Sequence, residues 1–290
     1  MTSKTAFRLI SLVVFCVTQL SFSQHKQAYQ LYNSNGQNLD YKKMIDSLAT
    51  ADVVLFGEFH NNAIAHWLQI EVTKDLHQNN LNMVLGAEMF EADQQPAIDA
   101  YLSKALNVKQ LKDSIKLWPN FKTDYKPLLD LAQQNELDFI ATNIPRRFAS
   151  DVYKKGGFSS LDSLTQQQLK WVAPRPIKFD PELPGYKAML EMMGDHASVD
   201  MVKAQAIKDA TMAHFILKNT QANQVFLHFN GSYHSNNFDG IYWYLKQHQP
   251  EMNILTITTV EQTEIDQLDS EHQQLANFII CVDEDVTKTY

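Results

Sequence analysis

The apolar positions of the chain fall into six short runs: Val53–Phe56, Met83–Ala87, Phe139–Thr142, Val225–Phe229, Ile254–Val260 and Phe278–Val282. Most are continuous rather than alternating, the pattern of parallel strands covered on both faces. Helical periodicity fills the gaps between them. Asn61 or Asn62 can cap a helix in which Ile64, Leu68, Val72 and Leu76 recur every fourth position. Tyr125, Leu128, Leu129 and Leu131 mark a second helix after Asp124. A third runs from about Ser198 to Leu217 on a stripe of Val199, Val202, Ala206, Ala210 and Ala213, and a fourth covers Ile241 to Leu245. This alternation predicts an α/β fold, with a mainly parallel sheet flanked by helices.

From Tyr153 to Gly194 the pattern changes. The stretch holds Gly156-Gly157, Pro174-Arg175-Pro176, Pro181, Pro184 and Gly185, with no strand-like run. It predicts a helical and loop insertion over about residues 153–195 of a single domain. Loops that long are often functional.

Residues 1–23 read as a secretory signal peptide: Lys4 and Arg8, an apolar run from Leu9, then Ser21-Phe22-Ser23. The expected mature domain is 24–290, exported to the periplasm or cell surface. Phe15 stands before Cys16 where a lipid-attachment signal takes a small residue, so no lipid anchor is expected. No other stretch approaches membrane-spanning length.

Charge narrows the partners. The chain carries 33 acidic and 25 basic residues, a net charge of −8. Phosphate binding needs a basic face, so nucleic acid is not an expected partner. With Cys16 removed, Cys281 has no partner for an internal disulfide and reads as a buried thiol.

In open parallel sheets, ligands bind beyond the carboxyl ends of the strands. Glu58 and His60 follow the first run, Glu88 the second, Pro145-Arg146-Arg147 the third, and Gly231-Ser232-Tyr233-His234 the fourth. Two of these turns spell Gly-x-x-His (Gly57 to His60, Gly231 to His234). Glu58, His60, Glu88 and His234 thus form an oxygen-and-nitrogen set suited to a divalent metal, or to general acid–base work. The plainer alternative is capping carboxylates beside hydrogen-bonded histidines. His66 can face the same cleft, His228 reads as a core residue, and Arg146 suits a carboxylate or phosphate. No P-loop, nucleophile elbow, dinucleotide fingerprint or HExxH is present.

Five blocks in order resemble the ChaN-like haem-binding family. They are Gly57-Glu58-x-His60 with His66 and Gln69; Gly86-x-Glu88-Met89-Phe90; Asn143-x-Pro145-Arg146; Ala204-Gln205 with Asp209-Ala210; and Gly231-x-x-His234 with Gly240-Ile241. The resemblance covers about Ala51 to Leu245. It implies an α/β fold with a helical insertion, an exported location, and haem bound by a homodimer through a tyrosine assisted by a histidine. Tyr186, ahead of Met189, Leu190, Met192 and Met193, is the candidate ligand, with His196 as its helper and Arg146, Arg175 or Lys178 for the propionates. No Cys-x-x-Cys-His occurs, so attachment would not be covalent. The superfamily is also similar to erythromycin esterases and TIKI metalloproteases. On that analogy Glu58, His60, Glu88 and His234 would serve a metal-dependent hydrolase.

Overall fold

Seven strands, β1 (Tyr29–Asn33), β2 (Val53–Glu58), β3 (Met83–Glu91), β4 (Asp138–Asn143), β5 (Val225–Gly231), β6 (Ile254–Gln262) and β7 (Phe278–Asp283), form one sheet in the order β1-β7-β6-β2-β5-β3-β4. All pairs are parallel except β1 with β7. The computed structural model describes residues 26–79 and 82–290; the leader read at 1–23 lies outside them. Helices are α1 (Tyr41–Leu48), α2 (Ala63–Gln78), α3 (Gln95–Leu102), α4 (Val108–Ser114), α5 (Lys126–Gln134), α6 (Arg146–Lys154), α7 (Pro184–Met193), α8 (Val199–Asn219) and α9 (Ile241–His248).

The continuous apolar runs have a simple cause. Successive strand side chains point to opposite faces, and here both faces are covered. Val54, Phe56, Leu85, Leu227 and Phe229 enter the core under α1, α2 and α5. Val53, Leu55, Val84 and Phe226 enter the core under α8 and α9, with Met212, Ile216 and Leu245. Truncating one of the buried phenylalanines to alanine would cost about 3–5 kcal/mol. A third cluster, of Phe148, Val152, Leu161, Val172 and Ile207, seats the start of the insertion on α6 and α8. Between residues 155 and 195 the insertion holds short helical turns and α7, and no strand.

Asn62 is the residue that caps α2; its side-chain oxygen accepts the Ala65 N–H at 2.9 Å. Ser198 caps α8 by accepting the Met201 N–H at 3.1 Å. Two features depart from the sequence pattern. β1 was not expected, because Tyr29-Gln30-Leu31-Tyr32-Asn33 shows neither a run nor an alternation; it is an edge strand, paired along one side only with β7. β2, β3 and β5 also run further than their apolar runs. The parallel ladder continues through Gly57↔Asn230 and Glu58↔Gly231, carrying polar residues expected in turns into the sheet. Among the described residues no helix is long and apolar enough to cross a membrane.

Candidate functional site

β2 and β5 stop level with one another, and the chain then turns into His60 on one side and Tyr233-His234 on the other. β3, on the far side of β5, delivers Glu88. Glu58, Glu88 and His234 are all buried. A buried charge has to be paired, and here each carboxylate takes its own imidazole.

Glu58 accepts three hydrogen bonds. The Tyr125 hydroxyl and His60 Nδ1–H reach Oε1, each at 2.8 Å, and Gln69 Nε2 reaches Oε2 at 2.5 Å. Glu88 takes the Gly231 N–H on Oε2 at 2.7 Å and faces His234 Nε2 with Oε1 at 3.1 Å. His234 Nδ1 is bonded to Asp209, whose other oxygen accepts the Tyr186 hydroxyl at 2.9 Å. The result is a buried relay, Tyr186–Asp209–His234–Glu88, running from α7 through α8 to the sheet edge.

Electrostatics follow from that geometry. Burial opposes an imidazolium at His234, but the Glu88 and Asp209 carboxylates outweigh it and lift its pKa to about 10. Burial likewise opposes a charged Glu88, and the adjacent His234 overcomes it, holding this carboxyl well below the usual range. At His60 burial is again outweighed, by the hydrogen bond it donates to Glu58 and the charge of Glu88, so its pKa is raised. Burial pushes Asp209 up, with His234 offsetting only part of that. His234 is therefore a charged, fully engaged group, whereas His60 Nε2 has no hydrogen-bond partner among the described residues.

Two glycines make the arrangement sterically feasible. A Cβ at Gly231 would lie 2.8 Å from His60 Nε2, so the bare backbone is what lets that ring settle over the strand end. Gly240 has a φ of +54° and would place a Cβ 2.4 Å from the His234 carbonyl oxygen; only glycine closes this loop.

Above this floor opens a cleft of about 550 Å³, within the ordinary range for small-molecule sites. Its apolar wall is Leu117, Trp118, Pro119, Ile144 and Met189. Lys116, Arg146 and Lys208 supply positive charge and outnumber Glu91 beside them, and His60, Glu88, His234 and Tyr233 line it too. Trp118 stands edge-on to His60, with ring centroids 4.8 Å apart. Tyr233 is 64% exposed, so its phenol is open. Asn143, another lining residue, has a buried Oδ1 with no partner. An apolar slot with an open phenol and a cationic rim suits a flat apolar ring system bearing carboxylates.

The structure brings Glu58, His60, Glu88, His234 and Arg146 to this one edge. It does not arrange the first four as a metal shell, because their ligating atoms are directed at one another as two acid–imidazole couples. Among the described residues, the group with mutual metal-ligand spacing is Asp269, Glu271 and His272, where the two acids are exposed, outside the cleft. Tyr186 also sits differently from expectation. It is buried, its hydroxyl is taken by Asp209, and burial raises its pKa strongly. His196 is an exposed residue of the turn after α7 and does not line the cleft. Arg175 pairs with Asp162 and Lys178 with Gln247, both away from it. His66 is buried, 3.2 Å from the His60 carbonyl oxygen and 3.3 Å from Asp124, so it braces the site from behind. His228 is a satisfied core residue, bonded to Thr142 Oγ1 at 2.7 Å and Asn230 Oδ1 at 3.0 Å.

Sequence reasoning missed the roles of Asp209, Tyr125 and Tyr233. Asp209 carried a usable signal. It lies three residues after Ala206 and four before Ala213, so a lone acid occupied the buried stripe of α8. Tyr125 was concealed within an apolar pattern that its ring satisfies.

Fold and site together define an α/β protein with a mostly parallel sheet and a small-molecule cleft at the carboxyl edge. The chain belongs to the family described as "Haem-binding uptake, Tiki superfamily, ChaN", whose model matches residues 44–245. It is similar to the structure of cofacial haem binding to ChaN of Campylobacter jejuni, with a TM-score of 0.67 and 17% identity, covering 89% of this chain and 98% of that one. A likeness to the type III effector HopBA1 is weaker, with a TM-score of 0.46 and 13% identity over 83% of this chain and 92% of that one. Of curated proteins, RETICULATA-RELATED 5 (chloroplastic) of Arabidopsis thaliana is 24% identical over 142 residues, 47% of this chain. The chain spans 19% of the length of that curated relative.

Proposed function

We propose that this chain binds haem non-covalently in the sheet-edge cleft, as an exported protein of iron acquisition. The observation that carries the reading is the pairing of an apolar wall (Trp118, Pro119, Ile144, Met189) with Lys116, Arg146 and Lys208 in one cleft. A porphyrin face needs the first and its propionates the second. Haem iron takes an axial ligand from the protein. Tyr233, rather than Tyr186, is the open phenol on the cleft, and His60 presents its Nε2 beside it. Export rests on the leader pattern of residues 1–23 and uptake on the family's description. The hydrolytic alternative is not better supported, since both nitrogens of His234 and the oxygens of Glu58 are engaged within the protein.

Titration of the purified chain with haemin tests the reading. Saturable binding with a defined Soret band is expected. Tyr233→Phe should change that band and Tyr186→Phe should leave it. Absence of saturable binding would overturn the proposal, and a band altered only by Tyr186→Phe would return the ligand role to that residue.

A further inference from the structure

A second cavity, of about 320 Å³, lies on the α8–α9 face of the sheet, apart from the cleft. Ala173, Pro174, Pro176, Ile177, Ala210 and Leu217 give it an apolar wall. The segment over it is fastened at both ends. Ala173 N–H donates to Thr211 Oγ1 at 3.2 Å, and the Tyr244 hydroxyl donates to the Lys178 carbonyl at 2.6 Å. The cavity is therefore built by tertiary contacts and is not a gap beneath a loose loop.

Its polar groups are all basic or neutral: Lys178, His214, His248, Tyr244 and Gln249 line it, and no carboxylate does among the described residues. The His214 ring has no hydrogen-bond partner among the described residues. Burial, then the charges of Lys218 and His248, hold its pKa low. In a chain of net charge −8, a pocket with one lysine, two imidazoles able to donate hydrogen bonds and no acid favours an anion. Two imidazoles alone suit a divalent metal, but Lys178 on this rim repels a dication and attracts an anion.

We propose that this cavity is a second binding site, taking a small monocarboxylate with an apolar body. The apolar tail would lie against Pro176, Ile177 and Leu217, and the carboxylate would meet His214, His248 and Lys178. The volume is about twice that of a cavity known to hold benzene, which suits a body of one aromatic ring and a short chain.

Isothermal titration of the full chain with 4-phenylbutanoate, and with its neutral amide, tests this. The acid should bind saturably, one per chain, at least tenfold more tightly than the amide. Lys178→Gln, a change at an exposed position, and the double variant His214→Gln with His248→Gln should each weaken it severalfold. Both should keep the parental thermal midpoint and haemin titration. Equal binding of acid and amide would overturn the proposal, as would acid binding that haemin displaces or that the variants leave unchanged. Saturable Zn(II) binding lost in the double variant, without acid binding, would assign the imidazoles to a metal instead.

Discussion

Glu88 and Gly231, 143 residues apart in sequence, are joined by a 2.7 Å hydrogen bond from the glycine N–H to the carboxylate. The same glycine leaves the space that the His60 ring occupies. One residue without a side chain thus fixes the acid of one couple and the imidazole of the other.

Gly231→Ala should therefore act on both couples. A Cβ 2.8 Å from His60 Nε2 and 3.4 Å from Glu88 Oε2 forces the ring or the carboxylate to move. The expected loss is about 1–3 kcal/mol, read as a lower urea midpoint together with weaker haemin binding. A midpoint and affinity equal to the parent's would show that His60 is not held there.

Asp209→Asn should be more severe. It leaves the buried His234 imidazolium with Glu88 as its one carboxylate, and breaking one side of a buried ion pair costs about 3–5 kcal/mol. The pH dependence has a definite sign. His234 is raised from 6.5 to about 10, so its contribution is complete below pH 6.5 and lost as pH climbs through 10. Urea midpoints collected from pH 6 to 10 should fall for the parent and fall less for the variant. Parallel curves would contradict the relay.

His228 governs the acid side. Burial lowers its pKa from 6.5 to about 4, so the unfolded chain binds the proton first and stability drops from pH 6.5 towards 4. The span is worth about 3 kcal/mol by linkage. His228→Gln, less stable overall, should lack this limb of the pH–stability curve. Retention of the full slope would place it on other groups.

Tyr186→Phe should lower stability by about 1–2 kcal/mol, because Asp209 loses a buried donor. Chemical denaturation gives the number directly. A neutral result would mean that a water takes over the hydroxyl's place.

Much of the fold was legible from the six apolar runs, since burial on both faces leaves no polar alternation to blur them. β1 was illegible because it buries one residue on each face, Leu31 and Tyr32, too few to make a run or an alternation. Of the site, Glu58, His60, Glu88 and His234 could be read from their places after strands. How they divide could not: the partners that engage them, Tyr125, Gln69 and Asp209, come from α2, α8 and the turn before α5. That the Tyr186 hydroxyl is held by Asp209 could not be read either, because sequence gives the phenol and not the direction in which it points.

The strand order has a consequence for how the chain acquires its shape. β2, at the middle of the sheet, is flanked by β5 and β6, so it ends at Glu58 and waits for Val225 before any strand can pair with it. β1 waits longer, for Phe278. In the first half of the chain β3 and β4 can pair with one another at the far edge of the sheet, but β2 has no partner, and local helices are the other early structure. Joining of β2 to the β3–β4 pair is correspondingly late, and truncation before β5 removes the strand that lies between them.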